Sequence, residues 1–410
     1  MTISAMENYN MPFYYQCQEC KKIYQRDEVR YLCPDCSKDY KPGIPLKGVL
    51  ETIFDYDWIS KSFDKNNPDW SLFSAVETKY YPEYLIGNTP FFRSHRLEAK
   101  LGYTNLWIKN DGLNPSGSLK DRASFLLVAE ANRLQEDTLV TASTGNAASA
   151  LASVCAGSGK KAIIFVPASA PKAKLVQMIL AGATVIPVQG TYDDAFAMSL
   201  EFTATRKGLN RNTAYHPLTI EGKKTAGLEI FAQNYFQVPD AILIPVGDGV
   251  IISGIYKAFY DLQQAKLINH MPRLICVQAE TSNAIHNYIM TGTYKNAENP
   301  KTVADSISVS IPSNAHMARR AVLETNGFSI TVSDSEIIEA QRTLAQTSGI
   351  FAEPTASSVV AALEKIHAQN LLPLDSQIVL LVTGHGLKDI DTPLAHISMP
   401  EAISSISEVK

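Results

Sequence analysis

The chain has 410 residues, of which 45% are hydrophobic and 19% charged, proportions typical of a folded globular protein. This length is sufficient for two or three domains. A formal net charge of -4 gives no reason to expect nucleic acid as a partner, and the longest apolar runs are too short to cross a membrane. The opening stretch MTISAMENYNMPFYYQ lacks the basic and apolar regions of a secretory signal, so a cytoplasmic location is expected.

The N-terminal region, residues 1–48, contains four cysteines in two close pairs. Cys17 and Cys20 form one Cys-x2-Cys pair, and Cys33 and Cys36 form the other after twelve intervening residues. This spacing is typical of zinc ribbons, in which four thiolates hold a structural Zn²⁺ and leave no open catalytic position. Disulfides or free thiols are the alternative, although a reducing cytoplasm disfavours disulfides. A recruitment role for such a module also stays open, but no dense basic cluster favours it.

Residues 49–88 are aromatic and irregular, which predicts a wrapping segment with short helices. After about residue 90, unbroken apolar runs of strand length alternate with longer amphipathic stretches. Such runs predict strands buried on both faces, and their alternation with helices predicts parallel sheets in an α/β fold. The predicted strands are residues 106–109, 138–142, 161–167, 184–188, 241–247, 273–280, 328–332 and 377–384. A capping box, Ser333–Glu336, predicts a helix start after the seventh of these strands.

Lys120 stands where a loop of small residues, NPSGS, turns into a predicted helix. A lysine at such a position is usually solvated, and Asp121 and Arg122 would then form an ion-paired surface with it. Alternatively, desolvation, the Arg122 cation and the positive end of the helix would lower the pKa of Lys120 and make its amine nucleophilic. Such an amine can bind the aldehyde of a cofactor.

The strand 138–142 is followed by Ser143-Thr144-Gly145-Asn146 and then by a helix. Ligands of open α/β sheets bind beyond the carboxyl ends of the strands. Hydroxyls and backbone N–H groups at a helix start would favour a carboxylate or a phosphate there. A simple helix cap is the alternative, although a cap needs only one such residue.

Two later strands also end in loops of small and polar residues. In the loop from Gly247 to Gly254, the glycines let the backbone approach an anion closely. The charge of Asp248 in the same loop would repel a phosphate, and a plain tight turn is the alternative. The loop after the last strand contains Thr383, which is placed to hydrogen-bond at the end of the sheet. His385 in the same loop is either an acid–base group or, as for most isolated histidines, a loop residue.

In this order, the stretches NPSGSLKDRAS, STGNAAS, PVGDG…SG and VTGHGLKD resemble the threonine synthases, pyridoxal phosphate (PLP) enzymes of the tryptophan-synthase-β type. The resemblance covers residues 85–390, including IGNTPFFR at 86–93, and Cys-x-x-Cys modules recur in the family. It implies PLP fold type II, with two three-layer domains of parallel strands and the cofactor in the cleft between them. The small domain is expected at 134–224 and the large one at 49–133 and 225–410. A homodimer and a small amino-acid substrate are also implied.

The resemblance implies a role for each motif residue. Lys120 binds PLP covalently and later moves protons, Asn146 hydrogen-bonds the 3′ oxygen of the cofactor, and Thr383 meets its pyridine nitrogen. Backbone N–H groups hold the cofactor phosphate, and they belong to Gly247, Asp248, Gly249, Val250 and Ile251. The substrate carboxylate is held by Ser143, Thr144 and Gly145.

The activity implied by the resemblance is the conversion of O-phosphohomoserine and water into L-threonine and phosphate, but the chain departs from the family's pattern. Asp248 stands in a phosphate loop that commonly carries asparagines. The family's Asn-Ser-x-Asn-Pro-x-Arg segment helps to hold the substrate phosphate, and its Asn, Ser and Arg are here Thr213, Ala214 and Thr219. Lys223 replaces a Gln and would return a positive charge to the substrate. The alternatives are another PLP-dependent lyase or β-replacement enzyme acting on a serine-, threonine- or phosphoserine-like substrate, and a non-catalytic scaffold.

Overall fold

The computed structural model describes residues 13–38, 40, 41 and 43–406. The first twelve residues of the predicted N-terminal module therefore lie outside the described part. Within that part the strands form three sheets. None of the described helices combines the length and the apolar character needed to span a bilayer.

The N-terminal sheet is small and antiparallel. Its central strand β1 (Phe13–Cys17) pairs with β2 (Ile23–Tyr24) on one edge and with β3 (Leu50–Phe54) on the other. Two short helices accompany it, α1 (Pro34–Ser37) and α2 (Tyr56–Ser62). Because β3 follows residue 48, this sheet extends beyond the predicted end of the cysteine module.

The chain next forms one edge of a large sheet. β4 (Phe91–Arg93) pairs antiparallel with β5 (Leu106–Asn110), and α3 (His95–Leu101) connects the two strands. The loop of small residues then leads into α4 (Lys120–Arg133). Lys120 is therefore the first residue of its helix, as predicted.

A smaller sheet follows. Its parallel strands are β6 (Thr138–Ala142), β7 (Lys161–Pro167), β8 (Thr184–Val188) and β9 (Leu209–Asn210), in the order β8-β7-β6-β9. The helices that cover it are α5 (Asn146–Gly157), α6 (Lys172–Leu180) and α7 (Tyr192–Thr205). Ile164 and Val166 of β7 pack toward α5 and α6, whereas Phe165 packs toward α7. The sheet is therefore the middle of three layers.

The remaining elements complete the large sheet. In chain order they are α8 (Leu218–Gln233), β10 (Ala241–Pro245), α9 (Val250–Gln264), β11 (Arg273–Ala279), α10 (Ala284–Thr291), α11 (Ala315–Glu324), β12 (Phe328–Val332), α12 (Asp334–Ser348), α13 (Pro354–Ala368), β13 (Ile378–Val382) and α14 (Asp391–Leu394). The strand order is β12-β11-β10-β13-β5-β4, and only β4 is antiparallel to its neighbour. The predicted capping box is confirmed at the start of α12, where the Ser333 and Glu336 side chains each bond the backbone N–H of the other.

Alternating side chains of the central strands enter two separate apolar clusters. Ile242 and Ile244 of β10 pack with α4, α8 and α9, whereas Ala241 and Leu243 pack with α12 and α13 on the opposite face. Burial on both faces explains why these strands read as unbroken apolar runs. The predicted α/β class with two parallel-stranded, three-layer units is confirmed.

Helix α4 lies at the junction of the two parallel sheets. It packs against α5 of the small sheet and against α8, which in turn packs along α9. α8 and α9 approach so closely that a Cβ added at Gly254 would lie 2.8 Å from the Cβ of Lys223. The start of α4 and the buried side of α8 therefore face the same region between the sheets.

Candidate active site

Lys120 is fixed in place by the loop that follows β13. Ser118 pairs with Gly384 in an antiparallel bridge, and the Leu119 N–H donates to the Thr383 carbonyl oxygen at 2.9 Å. The last strand of the large sheet and the first turn of α4 are therefore held side by side. Two motifs that are 263 positions apart by residue number, at Lys120 and Thr383, meet at one point.

The Lys120 amine forms no hydrogen bond or ion pair with any described residue, and part of the side chain remains accessible from the region between the sheets. Burial is the main factor that lowers its pKa; the charges of Glu353 and Asp248 act in the opposite direction, and that of Arg211 adds to the lowering. A buried lysine with a lowered pKa and no partner is the state that a nucleophilic amine requires.

The ion-paired surface that was the alternative for Lys120 does not form. Asp121 is buried and accepts a hydrogen bond from the Ser116 N–H at 2.8 Å. Arg122 is buried between Asp111 and Glu229, with N···O distances of 2.6 and 2.7 Å. Because these carboxylates neutralise Arg122, the prediction that Arg122 lowers the pKa of Lys120 is wrong, and Arg211 supplies the nearby cation instead.

Thr383 lies at the end of β13 with its hydroxyl buried. The Oγ1 atom has no hydrogen-bond partner among the described residues. A buried hydroxyl without a partner is uncommon and calls for an explanation, such as a ligand atom that completes the bond. The position beside the Lys120 backbone fits a polar ring atom of a cofactor held by that lysine.

Asn146 begins α5 and its side chain is buried. Its amide Nδ2 donates to the two carboxylate oxygens of Glu353 at 2.9 and 3.1 Å and to Ser306 Oγ at 3.1 Å. Glu353 lies so close to Gly384 that a Cβ at that position would meet its Oε1 at 2.2 Å. Burial raises the pKa of the Glu353 carboxyl, while the Asn146 bond and the charge of Lys120 oppose that rise.

The backbone and hydroxyls ahead of α5 remain open. Ser143, Thr144 and Gly145 are partly exposed, and a Cβ at Gly145 would meet no atom within 4 Å. Ser143 Oγ accepts only the Gly145 N–H, at 3.2 Å, and no side chain caps the helix. The simple helix cap that was the alternative is therefore absent, and the N-terminus of α5 is available to an anion.

The loop after β10 presents free N–H groups, but one of its predicted donors is taken. Asp248 Oδ1 accepts the Val250 N–H at 3.0 Å and so caps the first turn of α9. The N–H groups of Gly247, Asp248 and Gly249 have no partner among the described residues. Gly249 has a φ of +89°, a left-handed conformation that favours glycine. The loop can still receive an anion through these three groups.

The segment around Thr219 does not present the polar and cationic side chains with which the family holds the substrate phosphate. Thr219 is fully buried, and its hydroxyl donates to the carbonyl oxygens of Thr213 and of His216, the latter at 2.9 Å. Ala214 is buried in an apolar cluster that includes Leu46. These positions are thus used for local packing and not for binding a ligand.

Two buried cations face this region, and only one of them was predicted. Lys223 on α8 and Arg211 just after β9 are each 2% exposed. A terminal nitrogen of Arg211 donates to the Lys120 carbonyl oxygen at 3.4 Å, and a Cβ at Gly222, the residue before Lys223, would lie 2.5 Å from the Arg122 carbonyl oxygen, so both cations lie beside the first turn of α4. Arg211 was missed because an arginine in a polar loop is expected to be solvated, whereas its side chain here contacts Ser124 and the Lys120 carbonyl oxygen of the distant helix α4.

Glu353 was missed for a similar reason, since its carboxylate is bonded by Asn146, which lies 207 positions away in the sequence. The local signal that could have found it is a carboxylate directly before a helix that begins with Pro354. His385 proves to be a loop residue, because its Nδ1 accepts the Leu387 N–H at 3.1 Å.

The four cysteines lie in the N-terminal module and not among these loops. All four Sγ atoms are within 4.8 Å of one another, and the Cys17–Cys36 and Cys20–Cys33 pairs are each 3.7 Å apart. Thiolates at about 2.3 Å from a tetrahedral Zn²⁺ are about 3.8 Å apart. The arrangement therefore fits a metal ion, and no disulfide joins these cysteines.

Comparisons with known proteins agree with this geometry. Residues 82–384 match the family described as pyridoxal-phosphate dependent enzyme. The threonine synthase of Methanocaldococcus jannaschii is 36% identical over 397 residues, which cover 92% of this chain and 94% of that protein. The threonine synthase of Methanosarcina acetivorans is 34% identical and covers 96% of each.

Among solved structures, a threonine deaminase isoform from Solanum lycopersicum matches with a TM-score of 0.66 at 22% identity, covering 78% of this chain and 84% of that one. Maize serine racemase matches with a TM-score of 0.64 at 23% identity, covering 76% and 91%. At these identities the two matches concern the fold alone.

Proposed function

Because this chain belongs to the threonine synthase family of pyridoxal-phosphate-dependent enzymes, we propose that it converts O-phosphohomoserine and water into L-threonine and phosphate. The observation that carries the proposal is the Lys120 amine, which has no partner among the described residues and lies at the start of α4 beside the buried, unpartnered Thr383 hydroxyl.

When bound, PLP supplies an electron sink that acidifies the carbon–hydrogen bonds of an amino acid. Lys120 would hold its aldehyde carbon and Thr383 its ring nitrogen. The free N–H groups of Gly247, Asp248 and Gly249 would hold its phosphate, in place of the longer run expected from the resemblance. Asn146 would bond the 3′ oxygen by exchanging one of its present acceptors, Glu353 or Ser306.

Lys120 is also the proposed proton carrier. Since burial lowers the pKa of its amine, a larger fraction of Nζ is unprotonated near neutral pH than for an exposed lysine. Nζ can then accept the proton from the substrate Cα and return it at a later carbon. Ser143, Thr144 and Gly145 would hold the substrate carboxylate at the positive end of α5, which orients Cα toward the amine.

The first test is the reaction itself. Purified holoenzyme is mixed with O-phosphohomoserine, and threonine and phosphate are measured over time; we expect equal amounts of both. Lys120→Ala should lose at least about 10²-fold in turnover, because it removes the proton carrier. Lys207→Ala, which removes an exposed lysine, is the matched control and should keep full activity. Failure to form threonine in wild-type protein that has bound PLP would contradict the proposal.

A second candidate function is a lyase or β-replacement reaction on a serine-, threonine- or phosphoserine-like substrate. It is favoured by Thr219, whose hydroxyl is committed to backbone oxygens where the family has a phosphate-binding arginine. Titrating the holoenzyme with each amino acid and recording the cofactor absorbance separates the two. A response to O-phosphohomoserine alone would exclude this candidate.

We also propose that the cysteine module binds a structural Zn²⁺, supported by the spacing of the four thiols. Free thiols fit a reducing compartment, which supports the proposed cytoplasmic location. The separation of the two parallel sheets supports a small domain at 134–224 and a large domain formed by 49–133 and 225–410. We propose that the two domains close over the substrate. The homodimer implied by the family stays a prediction that light scattering would test.

A further inference from the structure

Arg211 and Lys223 are buried cations that lack a carboxylate partner. Arg211 Nε donates to Ser124 Oγ at 3.2 Å, and one terminal nitrogen donates to the Lys120 carbonyl oxygen at 3.4 Å, so both acceptors are neutral. The Lys223 amine forms no hydrogen bond with any described residue. Among those residues, no carboxylate lies within ion-pair distance of either cation.

The other deeply buried cations near this region are paired. They are Lys109 with Glu229 (2.6 Å), Arg122 with Asp111 (2.6 Å), Lys224 with Asp261 (2.9 Å) and Lys257 with Asp261. A buried charge without a counter-charge is strongly unfavourable. The contrast within one molecule indicates that Arg211 and Lys223 await an anion that the chain does not supply.

Lys223 lies one helical turn after Thr219, the position at which the family carries a phosphate-binding arginine. Residues 219 and 223 are four apart on α8 and therefore share one face of the helix. Helical side chains lean toward the N-terminus, so the side chain of Lys223 extends over the turn that contains Thr219. Arg211 approaches the same region from the end of β9, two residues before Thr213.

We propose that Arg211 and Lys223 together bind the phosphate group of the phosphorylated amino-acid substrate, replacing the arginine that the family carries at position 219. This inference rests on the proposed function for the identity of the substrate. The ligand class is a phosphate monoester dianion, and free phosphate shares that chemistry. A planar guanidinium and an ammonium group suit such an anion, because the first can form paired bonds and the second is a point charge.

The charges around these two residues are consistent with an absent anion. Burial lowers the pKa of Lys223 to about 7, which Asp248 opposes and the cations Arg211 and Lys120 reinforce. Burial also lowers the pKa of Arg211 to about 10, opposed by Asp248, Asp121 and Tyr192. A bound dianion would raise both pKa values and keep both groups charged.

The phosphate of PLP is the competing source of the same chemistry, and the experiment must separate the two. Calorimetric titrations with inorganic phosphate and, separately, with L-threonine are carried out on four holoenzymes. They are the wild type, Arg211→Met, Lys223→Gln and the control Lys207→Gln. PLP content is measured from absorbance, and kcat and KM are measured with O-phosphohomoserine. Lys223→Arg, which keeps the charge, guards against a purely structural effect.

We expect Arg211→Met and Lys223→Gln to weaken phosphate binding at least tenfold and to raise KM, with PLP content and L-threonine affinity unchanged. Lys223→Arg should restore phosphate affinity to within threefold of wild type. The inference would be overturned if both variants bound phosphate as tightly as wild type. It would also be overturned if the variants lost PLP but kept their affinity for phosphate. If wild type binds phosphate with this pattern but does not turn over O-phosphohomoserine, the proposed function fails while the anion site stands.

Discussion

Individual buried charges determine what this site can bind. Arg122 beside Lys120 is neutralised by Asp111 and Glu229, so it supports the fold, whereas Arg211 and Lys223 have no carboxylate partner among the described residues and are left to a ligand. Arginines that both lie on or against α4 therefore serve opposite purposes. Their partners, and not their identity, distinguish a structural cation from a binding one.

Replacement of Lys223 by Met should stabilise the protein when no anion is present. The pKa of Lys223 is about 7 in the folded state and near 10.5 when unfolded. Between these values the unfolded chain holds a proton that the folded protein lacks, so wild-type stability rises with pH across this window. Below about pH 7 the buried charge is fully present, and Lys223→Met should raise the free energy of unfolding there by about 1–4 kcal/mol.

The measurement is urea unfolding of the apoprotein at pH 6 and pH 9, without phosphate in the buffer. The advantage of Lys223→Met over wild type should be larger at pH 6. The charges that face Lys223 are Lys120 on α4, Arg211 after β9 and Asp248 before α9, and all three are retained in the variant. An advantage that is equal at both pH values would show that folding does not lower the pKa of Lys223, because the folded and unfolded states would then bind the same number of protons across this window.

At the residue scale, the sequence identified side chains whose role is local. Thr383 and the Ser143–Asn146 loop stand directly after strands, and Lys120 stands at the start of a helix, positions where polar residues are informative. Arg211 and Glu353 could not be found in this way, because distant segments of the chain bury them. The effect of Arg122 was mispredicted because its neutralising partners, Asp111 and Glu229, lie 11 and 107 residues away, beyond the local sequence around Lys120.

At the element scale, burial determined which strands were predictable. β10 and β13 are covered on both faces, and their uninterrupted apolar residues predicted them closely. β9 has only two residues, Leu209 and Asn210, and is a strand solely because it pairs with β6. β3 follows the cysteines and was assigned to the wrapping segment, since its pairing with β1 depends on a contact across more than thirty residues.

Removal of the proposed Zn²⁺ should loosen the N-terminal sheet but spare the two parallel sheets. The module is a three-stranded sheet whose cysteines lie at the end of β1 and around α1, so a lost metal leaves few cross-links. Chelator treatment followed by hydrogen exchange should show faster exchange in residues 13–54 and little change in β10 to β13. Cys36→Ser, which removes one of the four thiols, should reproduce this pattern.

Elemental analysis must first show that the treated protein has lost its metal. If hydrogen exchange in residues 13–54 is then unchanged, a structural role for the ion is contradicted. Cys155→Ser is the matched control, because Cys155 is buried in α5 and belongs to no cluster of metal-binding residues in the described part of the chain. It should leave the metal content unchanged.

At the scale of the whole molecule, the cysteine module contacts both α4 and the segment that follows β9. Arg26 of the module pairs with Glu130 at 3.1 Å, near the end of the helix that begins with Lys120. Tyr31 stacks on Tyr215 with ring centroids 4.6 Å apart, and its hydroxyl accepts the Asn210 N–H at 3.0 Å. The module therefore fixes the segment that carries Arg211 relative to α4.

Tyr31→Ala should weaken phosphate binding without removing the metal. Loss of the ring frees the segment that follows β9, so Arg211 would be held less firmly over the site. We expect about a threefold to tenfold weaker affinity for inorganic phosphate, measured by calorimetry on the holoenzyme, with unchanged metal content. Tyr31→Phe keeps the stack and should have the smaller effect; equal affinity in wild type and Tyr31→Ala would contradict this coupling.

The unpaired state of Arg211 and Lys223 has a kinetic consequence for the proposed reaction. A pocket that attracts the phosphate of the incoming substrate attracts the released phosphate equally well, because both present the same anion to the same cations. Free phosphate should therefore compete with O-phosphohomoserine and slow the enzyme as product accumulates. Flux to threonine would then respond to the phosphate concentration of the cell, through two cations that form no ion pair with a carboxylate of the described chain.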